Sequence, residues 1–146
     1  SSGTSYFLNK VNNKNPIVFI HGVGLTKEIW EPQINFFKNY NTLTYDLLGH
    51  GKTSLNKSQL NFKDFSEQLL NLISELNFSK IHLVGFSLGA LVARDFASKH
   101  NEKFFCRPAL FLQRPLTRAT RPAFDSTASA GEFYIILHKI STETVY

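Results

Sequence analysis

The residues that can do chemistry lie in short, separate stretches. Gly85-Phe86-Ser87-Leu88-Gly89 places a serine between two glycines, where the apolar run Ile81-His82-Leu83-Val84 gives way to an amphipathic segment beginning at Leu88. A serine hydroxyl attacks a carbonyl carbon only when it stands clear of its surroundings and a base removes its proton. A strand-turn-helix frame meets the first condition. The turn is so tight that residue 87 takes a strained backbone conformation, and only glycine at 85 and 89 avoids neighbouring backbone. The hydroxyl then stands at a helix N-terminus, where the helix dipole favours developing negative charge. The plain alternative is a serine that caps a helix between two glycines; the strand before and the helix after weigh against it.

A second stretch, His21-Gly22-Val23-Gly24, again follows a buried apolar run. Glycines let the backbone turn sharply here, so the Val23 N–H can point at the same place as the Leu88 N–H. Two such donors stabilise the oxyanion of a tetrahedral intermediate, and removing one costs about 3 kcal/mol where it has been tested. By itself this stretch would read as an ordinary turn; its pairing with Ser87 gives it chemical meaning. A third stretch, Asp46-Leu47-Leu48-Gly49-His50-Gly51-Lys52-Thr53, ends like a phosphate-binding loop, but the glycine required five positions before Gly51 is replaced by Asp46. Nucleotide binding is rejected on that ground. Asp46 and His50 are read as residues that fix a loop through side-chain to backbone bonds rather than as catalytic groups.

In this order and spacing the three stretches resemble the α/β-hydrolase superfamily, with its HG-x-G oxyanion loop, aspartate-glycine loop and nucleophile elbow. The resemblance covers about residues 5–103, and small bacterial esterases and lactonases, enol-lactone hydrolases among them, look most alike. It implies that Ser87 is the nucleophile and that Val23 and Leu88 supply the oxyanion donors. It also implies an acid and a histidine after the elbow, in that order. Asp125 and His138 occur in that order, with Glu132 and Glu143 as weaker substitutes for the acid. His21 and His50 belong to loops already assigned, His82 lies within a strand and His100 ends a helix, which leaves His138 as the base by position. The surroundings of Asp125 and His138 do not match those usual in the family. The implied reaction is cleavage of a small ester or lactone through an acyl-enzyme, with short-chain substrates favoured by an open, lidless pocket and no metal or organic cofactor. The competing reading is an inactive hydrolase-fold remnant with a binding role only.

The elements that must position these residues alternate. Ser5–Leu8 reads as a weak strand, Ile17–Ile20 as a strand buried on both faces, residues 28–39 as a helix and Thr42–Tyr45 as a strand. Between Phe62 and Leu76, apolar residues Phe65, Leu69, Leu72, Ile73 and Leu76 recur every three or four positions, which predicts a helix. Ile81–Val84 is the next strand and Leu88–Lys99 the next helix. Alternation of this kind predicts an α/β fold with a mainly parallel sheet flanked by helices. Measured against the family, the lid and last strands are missing, so the sheet edge is expected to be covered by the tail or by a second copy of the chain.

Composition divides the chain near residue 103. All 12 asparagines and 10 of the 11 lysines precede it, while four of the five arginines follow it. Residues 1–103 are therefore read as the hydrolase core and 104–146 as an atypical tail, of foreign or frameshifted origin in preference to a natural linker or insertion, with one or two strands packed on the core. Pro108–Leu112 and Phe133–Leu137 are the strand candidates there. With no methionine in the chain, Ser1 is not expected to be a native start. The formal charge of +5 invites a nucleic-acid partner, but the basic residues are scattered with no run of five, and that partner is rejected. No apolar run reaches the ~18–20 residues of a membrane span. One cysteine, Cys106, excludes an intrachain disulfide. A soluble cytoplasmic protein is the expectation.

Overall fold

The structure, a computed structural model, describes residues 3–55, 58–100 and 105–111, the last as backbone only. Its strands are β1 (Tyr6–Asn9), β2 (Ile17–Ile20), β3 (Thr42–Tyr45), β4 (Lys80–Phe86) and β5 (Phe105–Phe111). They form one sheet in the order β1-β3-β2-β4-β5. β1 runs antiparallel to β3, and the other neighbours are parallel. The weak first strand therefore serves as an antiparallel edge on a parallel sheet, a common arrangement in such folds. At the other edge, the strand expected at Pro108–Leu112 begins earlier and pairs with β4 from Lys80↔Phe105 to Phe86↔Phe111.

Apolar residues on alternate positions of the central strands divide the core into two layers. Val18, Ile20, Leu43, Tyr45, Ile81 and Leu83 face α2 (Phe62–Glu75) and α3 (Leu88–His100), meeting Phe65, Leu69, Leu72, Ile73, Val92 and Phe96. Phe19 and Val84 face the other way, against Trp30, with Ile34 and Phe37 packed beside them. Burial of both faces is what the unbroken apolar runs in β2 and β4 require, and each fully buried large side chain stabilises by about 1.5–3 kcal/mol.

The helix expected over residues 28–39 is broken. Lys27–Trp30 forms a 3₁₀ turn, and α1 occupies only Glu31–Phe36. Pro32 is the cause: it has no N–H to give to residue 28, and its ring would press on the Glu28 carbonyl of a continuous helix. Glu31 instead gives its N–H to Glu28, and the α-helix restarts with proline in its first turn, where proline is tolerated. α2 begins with Asn61 donating its backbone N–H to the Asp64 carboxylate (2.8 Å), one arm of a capping box.

The placement of α3 depends on Gly89. A Cβ there would overlap the backbone carbonyls of Ile20 and His21, so this helix lies directly on the end of β2. Gly89→Ala gains about 1 kcal/mol of helix propensity but forces backbone apart. A net loss on the order of 2 kcal/mol is expected, read as a lower urea midpoint. A midpoint at or above wild type would contradict that contact.

Candidate functional site

Sheet register brings the three stretches to one edge. Ile20 pairs with Tyr45 on one side and with Gly85 on the other. The loops after β3, β2 and β4 therefore leave the sheet side by side at the carboxyl ends of parallel strands. The chain passes from β2 to its neighbour β3 and then back across to β4, so the site lies at a reversal of strand order, the usual ligand position in open α/β sheets.

Ser87 has φ 53°, in the left-handed region that non-glycine residues rarely enter. Such a residue costs on the order of 1–3 kcal/mol and persists only where its surroundings enforce it. The enforcement is visible: a Cβ on Gly85 would overlap the Gly89 carbonyl. The Ser87 carbonyl accepts the Ala90 N–H (2.9 Å) and opens α3, while the residue itself is exposed. Its hydroxyl thus stands at the start of a thirteen-residue helix, with the dipole of that helix behind it. Gly22 lies alongside, where an added Cβ would come within 3.1 Å of Ser87 Cβ. Val23 is 69% exposed on the loop that follows. The Leu88 N–H belongs to the first turn of α3, whose amides have no intrahelical acceptor. Expected donors and expected nucleophile therefore lie on adjoining segments of backbone.

The four described histidines are placed elsewhere or already engaged. His21 is fully buried, its Nδ1 against the Gly22 carbonyl (2.8 Å) and its Nε2 accepting the Leu47 N–H (3.0 Å). Those partners require the neutral Nδ1–H tautomer. Burial pushes its pKa below the ordinary value, with repulsion from His50 adding to the effect against the pull of the Gly22 carbonyl. His50 turns Nδ1 to the Leu48 carbonyl (3.0 Å). His82 pairs with Ile17 at the opposite end of the strands. His100 packs on Phe96 at the far end of α3, about 18 Å along the helix from its start. Asp125, His138, Glu132 and Glu143 lie outside the described residues.

Asp46 is fully buried and engaged by neighbouring donors, as its reading as a loop-fixing residue expected. It accepts the Lys27 N–H (2.8 Å), the Lys27 ammonium (2.9 Å) and the Lys52 N–H (3.0 Å). Burial alone would raise its pKa, but the bonds from Lys52 and Lys27 outweigh it and hold the carboxyl below its ordinary value. Gly51, at φ 52°, leaves the room that a Cβ would take from this carboxylate. Two further residues escaped the sequence reading. Lys27 supplies the charge that compensates buried Asp46. Gln68 accepts the Leu48 N–H (3.1 Å) and donates to the Asp46 carbonyl (2.9 Å). The signal for Gln68 was a polar side chain beside Leu69 on the apolar stripe of α2.

Among the described residues no three His, Cys, Asp or Glu side chains gather as a metal site, and no helix is long and apolar enough to cross a membrane.

Comparison with known proteins agrees with this architecture. The α/β-hydrolase fold family matches residues 15–106. The chain belongs to that family. It is 37% identical over 78 residues to (E)-2-((N-methylformamido)methylene)succinate hydrolase of Acinetobacter baylyi, a match covering 53% of this chain and 30% of that protein. It is 32% identical over 87 residues to 3-oxoadipate enol-lactonase 1 of the same organism, covering 59% and 32%. A solved carboxylesterase structure from the thaumarchaeon Nitrososphaera gargenis superposes with a TM-score of 0.65 at 27% identity, over 69% of this chain and 38% of that one. The chain spans about a third of the length of the curated relatives it matches.

Burial of neutral His21 and of ionised Asp46 sets two acid limbs of stability. A group whose folded pKa is depressed stabilises above its unfolded value and loses that contribution as pH falls. Urea unfolding should show stability falling first below about 6.5, the ordinary histidine value, and again below about 3.8, that of aspartate. His21→Gln should lack the first fall and keep the second. A wild-type profile flat from pH 7 to 5 would contradict the burial of a neutral His21.

Proposed function

We propose that this chain carries the nucleophile and the oxyanion donors of a serine hydrolase that cleaves short-chain carboxylic esters or lactones through an acyl-enzyme. The observation that carries this reading is Ser87 itself: left-handed, exposed, at a helix start and beside the Gly22–Val23 turn. Ser87 Oγ attacks the ester carbonyl, and its proton passes to a histidine. The carbonyl oxygen gains the negative charge and is held by the N–H groups of Val23 and Leu88. The intermediate collapses with protonation and loss of the alcohol, and water then releases the acid by the same route. His138 is the histidine in this scheme and Asp125 the group that orients it. An open site for small, undemanding acyl groups is part of this reading, and the exposure of Ser87 and Val23 supports it. An esterase and an enol-lactonase among the relatives support the substrate class.

A second reading is a scaffold that binds without turnover. It is favoured by one observation: among the described histidines, His21 has both ring nitrogens committed to backbone, His50 turns Nδ1 to the Leu48 carbonyl, and His82 and His100 sit toward the far ends of their elements.

Purified full chain, mixed with p-nitrophenyl butyrate and a fluorophosphonate probe, separates the two. Hydrolase action predicts labelling and turnover, both abolished in Ser87→Ala; in a complete triad the loss of kcat is on the order of a million-fold. His138→Ala should lose activity on a comparable scale. Turnover indifferent to His138→Ala removes that residue from the scheme. Absence of both labelling and turnover in the wild type selects the scaffold.

A further inference from the structure

His21 has no place in the scheme above, yet it is fully buried and both ring nitrogens are committed. The geometry points to a positioning role: we propose that His21 aims the Val23 N–H at the reacting oxygen by holding the other end of the same peptide group. The inference rests on the hydrolase reading of Ser87.

The carbonyl of Gly22 and the N–H of Val23 are one peptide unit, planar and trans, so they point in opposite directions from a rigid plate. Fixing the oxygen fixes the direction of the hydrogen. His21 Nδ1 lies 2.8 Å from that oxygen, and the Leu25 N–H reaches it from the following turn at 3.3 Å. The shorter bond comes from the imidazole. A hydrogen bond to a carbonyl also polarises its peptide group, which strengthens the N–H as a donor.

The imidazole is itself anchored. Its Nε2 accepts the Leu47 N–H (3.0 Å), so Nδ1 must carry the hydrogen that Gly22 receives. Leu47 follows Asp46, whose carboxylate is clamped by Lys27 and Lys52 and whose carbonyl takes a bond from Gln68. The orientation of the oxyanion peptide is thereby transmitted from the loop after β3, through one ring, to the loop after β2.

The test compares the full-length wild type with His21→Asn and His21→Gln. An asparagine amide nitrogen overlays Nδ1 and keeps the bond to Gly22; a glutamine amide overlays Nε2 and keeps only the bond from Leu47. His21→Gln should lower kcat for p-nitrophenyl butyrate on the order of 100-fold, with little change in KM, because a donor used chiefly in the transition state is misdirected. His21→Asn should recover most of that loss, whereas a purely structural role would tax both variants alike. Equal kcat in the two variants, or a wild-type kcat in His21→Gln, overturns the assignment.

Two measurements work without turnover. Imidazole 15N shifts of the wild type should report the Nδ1–H tautomer, and an Nε2–H tautomer overturns the proposal even if neither variant folds. Residual dipolar couplings of the Val23 N–H should change in His21→Gln and not in His21→Asn; an unchanged vector in both overturns it. Couplings that behave as expected in a chain that cleaves no ester leave the positioning role standing and sink the hydrolase reading of Ser87.

Discussion

The site depends on backbone meeting backbone with nothing between. Gly89 presses α3 against the carbonyls at the end of β2, and Gly85 tucks the end of β4 under the first turn of the same helix. These contacts fix how far the strand-to-helix turn can open, and Ser87 takes the left-handed conformation because no wider turn fits. A residue in that region costs free energy locally, so the fold must return it elsewhere. The return comes from the flanking elements: β4 is buried on both faces and Val92, Ala93 and Phe96 of α3 are fully buried. An exposed serine is thus held in a strained pose by elements whose inner faces are buried.

A second constraint concerns buried polar groups. Burying ionised Asp46 would cost several kcal/mol if its partners were missing. Lys27 and two backbone amides supply them, and Gln68 satisfies backbone groups of the same loop. With Asp46 fully buried and held by three donors, this cluster reads as a brace rather than a reacting centre. It stiffens the loop after β3, and His21 carries that stiffness across to the Gly22–Val23 turn. Polar groups serve here where apolar packing could not, since apolar contact has no direction and an amide must be aimed.

Much of the fold was legible in the sequence because the signals were local. Unbroken apolar runs gave β2 and β4, the three-and-four spacing of Phe65, Leu69, Leu72 and Ile73 gave α2, and glycines at 85 and 89 gave the turn. Pro32 was the informative residue that the periodicity of residues 28–39 overrode: a proline within the first turns limits where a helix can begin. The edge role of β1 was not legible, because four residues of mixed polarity carry no information about strand direction. Within the site, the loop-fixing role of Asp46 could be read from residue type and glycine-rich surroundings. Its cation could not, since Lys27 lies nineteen positions away and the pairing exists only once β2 and β3 are neighbours. The same holds for the His21–Leu47 bond, which links two motifs that the sequence presents separately.

The described part of the site is made almost entirely of main chain. Ser87 is presented by one φ angle, the donors proposed here are peptide N–H groups, and both depend on the register Ile20↔Gly85. Such geometry tolerates replacement of many side chains, provided the glycines remain. Proton transfer has the opposite character, since it needs a particular ring with a free nitrogen at bonding distance. Among the described histidines His21 commits both ring nitrogens to backbone and His50 turns Nδ1 to the Leu48 carbonyl, while His82 and His100 lie toward the far ends of their elements, so the proposed scheme takes its base from His138. A neutral hydroxyl so placed is a poor nucleophile. In the proposed reaction the two halves of the chemistry are therefore separable: a backbone scaffold that fixes where charge would develop, and a side-chain relay that decides whether it develops at all.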